Sequence, residues 1–316
     1  MKIYIVGATE EFNNRIQNAL EDSGQKDVTV IVASRITAKE LVKKAGDCEI
    51  LVASPSGFET VSKDHITNLP NLKFITITSV GVDWLDVNAV KELGIVVSNE
   101  KGVNAEAVAE HCFGLVLDLA KRITEADRDI REKGEYRSSP YQGMELFGKT
   151  LGIIGVGNIG KRVARIARGF SMKMQGLNKS GKPVKGIDIV DLETLLKTSD
   201  IVVVTIPLTK DTENLLTEKE FDVIKPGAFV VSISREAIIN KNAVLNALNT
   251  GKISGYGFDA EINTPIERDD PYLKHNRIVI TPHSASMTRE ADKGYIDMTV
   301  ENVTAFLNKN PIRVVS

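Results

Sequence analysis

The chain has little of what would place it in several protein classes. Its 316 residues include only two cysteines, Cys48 and Cys112. Two thiols cannot make a disulfide framework or a cysteine-rich metal site, so they read as buried thiols in a reducing compartment, and no metal is expected. No window holds the ~18 apolar residues that a membrane span requires. The opening MKIYIVGATEEFNN has too short an apolar run for a signal peptide. Neither sign of charge is in excess: 40 Lys and Arg against 42 Asp and Glu give a formal net charge of −2. That balance offers no broad attraction to nucleic acid or to an anionic membrane. There is no repeat, low-complexity tract or long linker. The expectation is a cytoplasmic globular protein, 42% hydrophobic and long enough for two domains.

Short β-rich runs alternate with helical patterns throughout. KIYIV (Lys2–Val6), VTVIVA (Val28–Ala33), ILVA (Ile50–Ala53), FITIT (Phe74–Thr78) and IVVS (Ile95–Ser98) predict five strands. A second series holds LGIIG, MKMQGL, IVVVTIP, AFVVSIS, YGFD and IVITP, between Leu151 and Pro282. Near-continuous apolar strands separated by helices imply parallel sheets covered on both faces. Between the series, Ala107, Cys112, Leu115, Leu119 and Ile123 recur at helical spacing and predict one long helix within Asn104–Tyr136. The amphipathic pattern after Arg289 predicts a last helix that returns to the first sheet.

Gly155, Gly157 and Gly160 form G-x-G-x-x-G between a strand and a helix. That context marks a dinucleotide site: the first glycine for the turn, the second for approach of the pyrophosphate, the third for helix–strand packing. Free N–H groups near Asn158 and Ile159, with the helix dipole, attract the phosphates. In such sites the next strand ends in an acid that accepts from the ribose hydroxyls. Here it ends in Asn178, Lys179 and Ser180. Without the carboxylate, and with a cation and a hydroxyl in its place, the turn favours the 2′-phosphate of NADP over NAD. The alternative is a solvated turn beside an NAD site, with Lys179 pointing away.

Several longer stretches carry a resemblance. GKTLGIIGVGNIG, SDIVVVTIPLTKDTENLL, FVVSISREAIINKNAVLNAL, GFDAEINTP, IVITPHSASMT and TSVGVDWLDVNAVKELGIVVSNEKGVNAEAVAEH together resemble the D-2-hydroxyacid dehydrogenases. The match runs from Ser54 to about Thr288. It implies an α/β fold of two Rossmann-like parallel-sheet domains: a dinucleotide-binding domain, 103–282, inserted into a flavodoxin-like substrate domain of 1–102 and 283–316. It also implies a homodimer and the reduction of a small 2-oxo acid of the glyoxylate or hydroxypyruvate kind.

The family uses an Arg, a Glu and a His. Arg235, in SISRE, matches the arginine; a guanidinium fork can bind the carboxylate and ketone of a 2-oxo acid together. Glu236 stands where the family usually has Gly. His283, in TPHS, matches the acid/base, a type suited to moving a proton near neutral pH. His65, His111 and His275 lack such context and read as solvated or core residues. The family glutamate falls on Thr264, before Pro265, which cannot place a negative charge against an imidazole; Glu261 is the nearest acid. The resemblance further places Val80 and Gly81 in a loop whose N–H groups receive the substrate carboxylate, with Ser54 lining the substrate side. It places Val108 under the nicotinamide, Pro207 and Thr212 beside the adenosine, and Ile233 and Asp259 at the carboxamide. Two rivals follow from the missing glutamate: a relative acting on another oxo or cyclic substrate with altered proton transfer, and a nucleotide-sensing interaction protein.

Overall fold

The computed structural model describes residues 1–134, 136–259 and 268–315. The chain divides into two units, Met1–Asn104 with Thr288–Ser316, and Ala105–Met287. The junctions thus fall at 104/105 and 287/288 rather than at 102/103 and 282/283, and His283 lies in the second unit.

The first unit is built on β1 (Ile3–Gly7), β2 (Val28–Val32), β3 (Ile50–Ala53), β4 (Phe74–Ile77) and β5 (Val96–Ser98). All pair in parallel, in the order β2-β1-β3-β4-β5. Alternate side chains divide between two faces. Val6, Leu51, Ala53, Ile75 and Ile77 join one buried cluster. Ile3, Ile5, Ile50, Val52 and Phe74 join the other, with Ile16 and Leu20 of the helix Glu10–Asp22 and Ile296 and Val303 of the helix Arg289–Leu307. Phe306 stacks on Phe74 at 4.4 Å between centroids. Each such buried side chain stabilises by about 1.5–3 kcal/mol, so the last helix is tied to the first sheet by burial.

The second unit holds β6 (Thr150–Ile154), β7 (Lys173–Leu177), β8 (Asp188–Ile189), β9 (Ile201–Val204), β10 (Ala228–Ser232), β11 (Ile253–Asp259) and β12 (Ile278–Thr281). Their order is β12-β11-β10-β9-β6-β7-β8, again parallel. β6 lies inside the sheet between β9 and β7, with Leu151 opposite Ile201 and Ile154 opposite Val204. The strand order reverses between β6 and β9, the switch point where open α/β sheets bind ligands beyond their carboxyl ends. The two-residue β8 was too short to show as a pattern in the sequence.

The single long helix expected over Asn104–Tyr136 is two: Ala105–Lys121 and Ile123–Lys133. Arg122 breaks it in the left-handed region, at φ 57°. Side chains fix the break. The Asp118 carboxylate accepts from the Thr124 N–H at 2.7 Å and from its hydroxyl. The Arg122 guanidinium donates to Glu125 at 2.7 Å and to the Pro140 carbonyl. The first helix buries Ala109, Cys112, Phe113, Leu115 and Val116 against the sheet; the second buries none of its residues. Cys48 and Cys112 are both buried free thiols, and burial pushes each up to about 12. No helix among the described residues is long and apolar enough to cross a membrane.

Candidate active site

β6 ends at Ile154, and the chain turns at Gly155 with φ 103° into the helix Asn158–Gly169. A Cβ at 155 would meet Ile206 Cγ2 at 2.6 Å and the Thr205 backbone at 3.1 Å. At Gly160 a Cβ would lie 2.3 Å from the Gly155 carbonyl oxygen, itself held by the Thr205 hydroxyl at 2.6 Å. These two glycines let helix and strand close on each other. Gly157 differs, since a Cβ there meets nothing within 4 Å. The turn therefore presents open space beside the first-turn N–H groups of Asn158, Ile159 and Gly160, which have no intrahelical acceptor. That cradle fits a dinucleotide pyrophosphate.

At the end of β7, Asn178 donates from Nδ2 to the Lys182 carbonyl at 3.0 Å, and Ser180 donates to Asn178 Oδ1 at 3.1 Å. The sequence-predicted trio thus forms one closed turn, with no carboxylate in it. Lys179 extends to Asp211 at 3.4 Å, its side chain 95% exposed. Such a pair is worth little in water and is readily exchanged for another anion. Asp211 lies in the loop that Thr212 closes by donating to the Pro207 carbonyl at 2.7 Å. Val108 is buried on the helix Ala105–Lys121.

The remaining second-unit residues follow successive strands. Ile233 continues β10, its N–H on the Val204 carbonyl at 3.2 Å. Arg235 is partly exposed two residues further, at the N-cap of a short 3-10 turn. Asp259 ends β11 and is 2% exposed. His283 lies two residues beyond β12, exposed, at φ 52°. A left-handed non-glycine residue costs about 1 kcal/mol and persists where the surroundings impose it. Asp259 imposes it. Its Oδ1 accepts from the Thr281 hydroxyl at 2.6 Å and the Ser284 N–H at 2.8 Å, and its Oδ2 from the Ala285 N–H at 2.8 Å. A carboxylate has about four acceptor sites, so Oδ2 keeps capacity for a further donor.

In the first unit, the loop after β4 turns its carbonyls inward. Val80 accepts from Asn99 Nδ2 at 2.9 Å, and Gly81 from the Ser79 hydroxyl at 2.8 Å and Trp84 Nε1 at 3.2 Å. No acceptor among the described residues meets the N–H of Val80 or Gly81. Ser54 is buried, its hydroxyl 2.9 Å from that of Ser56. Behind the loop lies a group that the sequence did not flag. Glu100 is fully buried, donates its N–H to the Ser79 carbonyl, and accepts from the Thr299 hydroxyl on one oxygen. The other oxygen has no partner among the described residues. Burial pushes this carboxyl well above the usual carboxylate range, against the opposing pull of Thr299 and Arg313.

His65 ties the Ser62 hydroxyl at Nδ1 to the Ile36 carbonyl at Nε2, and His275 serves a local turn on the Arg277 N–H; burial and the nearby Arg277 lower the His275 imidazole. His111, expected to be solvated or in the core, hydrogen-bonds Thr281 Oγ1 from Nε2 at 2.9 Å. Its signal in the sequence was its place on the flank of the buried Ala107–Cys112–Leu115 stripe. Thr264 and Glu261 lie outside the described residues.

A glycine cradle at the switch point, with an arginine and a histidine beyond the carboxyl ends of β10 and β12 of the same sheet, defines a nicotinamide-dependent oxidoreductase. Residues 113–285 match the family described as D-isomer specific 2-hydroxyacid dehydrogenase, NAD binding domain. Glyoxylate reductase of Thermococcus litoralis is 37% identical over 277 residues, 84% of this chain and 82% of that protein. Glyoxylate reductase of Pyrococcus furiosus is 32% identical over 316 residues, 96% and 92% of the two chains. Among solved structures, the acyclic imino acid reductase Bsp5, in complex with NADPH and D-Arg, superposes with TM-score 0.91 at 32% identity, covering 100% of both chains. The chain belongs to the D-isomer-specific 2-hydroxyacid dehydrogenase family and is a nicotinamide-dependent oxidoreductase.

Proposed function

We propose that the chain reduces a small 2-oxo acid, of the glyoxylate or hydroxypyruvate kind, to the D-2-hydroxy acid, preferring NADPH to NADH. The observation that carries this reading is the position of Arg235 and His283, just past β10 and β12, on the same sheet edge as the open glycine turn. A reduced nicotinamide dinucleotide held at the turn of Gly155, Gly157 and Gly160 would supply a hydride for the 2-carbon. Arg235 grips the substrate carboxylate and polarises the carbonyl. The imidazolium of His283 gives its proton to the carbonyl oxygen as that oxygen gains charge. Val80 and Gly81 are assigned to the carboxylate through their N–H groups, Ser54 to the substrate side, and Val108, Ile233 and Asp259 to the nicotinamide. Preference for NADPH rests on the Asn178–Ser180 turn, which lacks an acid and carries Lys179. The same reading includes a cytoplasmic homodimer, in which a second copy covers the exposed Ile123 and Ile130.

A second reading is favoured by the likeness to the imino acid reductase together with Thr264 at the family glutamate's position. A protonated imine already carries its proton on nitrogen. Hydride attack on it gives the amine directly and asks less of the histidine. Assays of NADPH and NADH oxidation with a panel of 2-oxo acids, each with and without ammonium or methylamine, separate the readings. Oxidation by glyoxylate or hydroxypyruvate alone, faster with NADPH, supports the first. Oxidation only with amine present overturns it in favour of the second. No substrate-dependent oxidation overturns both and leaves a nucleotide-sensing role.

A further inference from the structure

We propose that His111 is a positioning residue for His283, acting through Thr281 and Asp259. The inference rests on the reading of His283 as the proton donor. All four residues lie in the second unit, on the helix Ala105–Lys121, at the ends of β11 and β12, and in the turn that follows.

The Asp259 carboxylate brackets His283. It holds Thr281 two residues before, through the hydroxyl, and Ser284 and Ala285 just after, through their N–H groups. His283 turns its own N–H back to the Thr281 carbonyl at 3.0 Å. Consecutive N–H groups beside a left-handed residue form a concavity for an anion, and here a buried carboxylate fills it. The orientation of His283 therefore depends on Asp259 keeping all three donors.

Thr281 is the member with a choice. Its hydroxyl has two acceptors in reach, Asp259 Oδ1 at 2.6 Å and the Phe258 carbonyl at 3.5 Å. Threonine divides between rotamers when nothing selects one. His111 selects. Its Nε2 lies 2.9 Å from Thr281 Oγ1 and 3.8 Å from Asp259 Oδ1. The threonine proton is spent on the carboxylate, so Nε2 must carry a hydrogen and donate to the threonine lone pair. The ring is 25% exposed and sits on a helix whose neighbouring residues, Ala109, Cys112 and Phe113, are buried. The helix thus fixes His111, His111 fixes the Thr281 hydroxyl, and Thr281 completes the set that shapes the His283 turn.

The test compares His111→Leu, which removes the donor, with His111→Gln, which keeps a donor near the Nε2 position. Thr281→Val is the second probe should His111→Leu not fold. Three quantities are read: kcat and KM for the oxo acid, the NADPH dissociation constant from nicotinamide fluorescence, and the His283 ring resonance, assigned by its loss in His283→Gln. His111→Leu should lower kcat roughly ten- to a hundredfold, as small misplacements of a reacting group do. KM for the oxo acid should stay within about twofold, and NADPH affinity should fall much less than kcat, since Asp259 is also assigned to the nicotinamide. The His283 resonance should move, and His111→Gln should return both resonance and most of kcat. Thr281→Val should act like His111→Leu, and the double variant should be no worse than the worse single, since the residues form one chain. Unchanged kcat and resonance in both His111→Leu and Thr281→Val would overturn the inference. So would additive losses, or losses confined to KM and NADPH affinity. If the wild type reduces no oxo or imino acid, the proposed function fails by itself. The resonance comparison still decides whether His111 positions His283.

Discussion

The first strand of each unit makes the same move, running to a glycine and turning into a helix, yet only one of the two turns is open. In the first unit a Cβ at Gly7 would meet Asn13 Oδ1 at 2.5 Å and Ser54 Cβ at 3.1 Å, and Asn13 Nδ2 donates to the Gly7 carbonyl at 3.0 Å. A buried asparagine plugs that turn. In the second unit the turn is spread over three glycines, and the middle one faces open space. The topologies are close kin, β2-β1-β3-β4-β5 against β7-β6-β9-β10-β11 within the larger sheet. Binding capacity is therefore a property of a few side chains at the strand end and not of the sheet.

The largest effect is expected where the substrate meets the second sheet's edge. Arg235→Lys keeps the charge and loses the bidentate fork. It should cut kcat/KM for the oxo acid about a hundredfold, with NADPH affinity nearly unchanged. Steady-state kinetics and a fluorescence titration check both halves; undiminished turnover would remove Arg235 from the substrate.

Next come the glycines. Gly160→Ala forces a methyl against backbone, the Gly155 carbonyl, so it should destabilise the protein by about 1–3 kcal/mol and weaken NADPH as well. Gly7→Ala meets mostly side chains that can shift. It should cost about 1 kcal/mol or less and leave NADPH binding alone. Thermal unfolding and cofactor titration on both variants give the contrast. A Gly7 variant that loses NADPH would erase the distinction between the two turns.

The units also differ in their buried acids. Asp259 has three donors; Glu100 has one, and burial holds its carboxyl above the usual range. A carboxyl raised in the folded state contributes stability fully present below its unfolded value, near 4.5, and lost as pH rises through the folded value. Glu100→Gln removes that dependence. The melting temperature of the wild type relative to Glu100→Gln should therefore fall as pH is raised from about 5 to 8. A difference constant with pH would mean that Glu100 titrates as an exposed carboxyl does.

The smallest effects concern cofactor choice. Asn178→Asp should weaken NADPH and favour NADH by restoring an acid at the end of β7. Asp211→Asn frees Lys179 from its exposed partner and should strengthen NADPH by about 0.3–1 kcal/mol. Ratios of kcat/KM for the two cofactors measure both. Tighter NADPH binding in Asn178→Asp would mean that this turn does not meet the 2′-phosphate.

The parallel sheets, the glycine turn and the strand-end positions of Arg235 and His283 were legible because each is written in consecutive residues, as apolar runs and spaced glycines. What was not legible depends on partners far apart in the chain. The helix break at Arg122 is made by Asp118, Glu125 and Pro140, none of which lowers helical periodicity. His111 meets Thr281 across 170 positions, and Glu100 meets Thr299 across 199. Nothing local announces that a glutamate will be buried or that a flank histidine will find a threonine.

We assign the cofactor to the open glycine turn of the second unit, and not to the fold as such. Gly157→Ala tests that assignment most directly, because a methyl at 157 enters open space and touches no protein atom within 4 Å. The measurement is an NADPH fluorescence titration of wild type and Gly157→Ala, with thermal unfolding of each without cofactor. The expected result is an unchanged or slightly raised melting temperature with a loss of NADPH affinity of tenfold or more, about 1.4 kcal/mol. Equal affinity in a variant that unfolds like the wild type would contradict it.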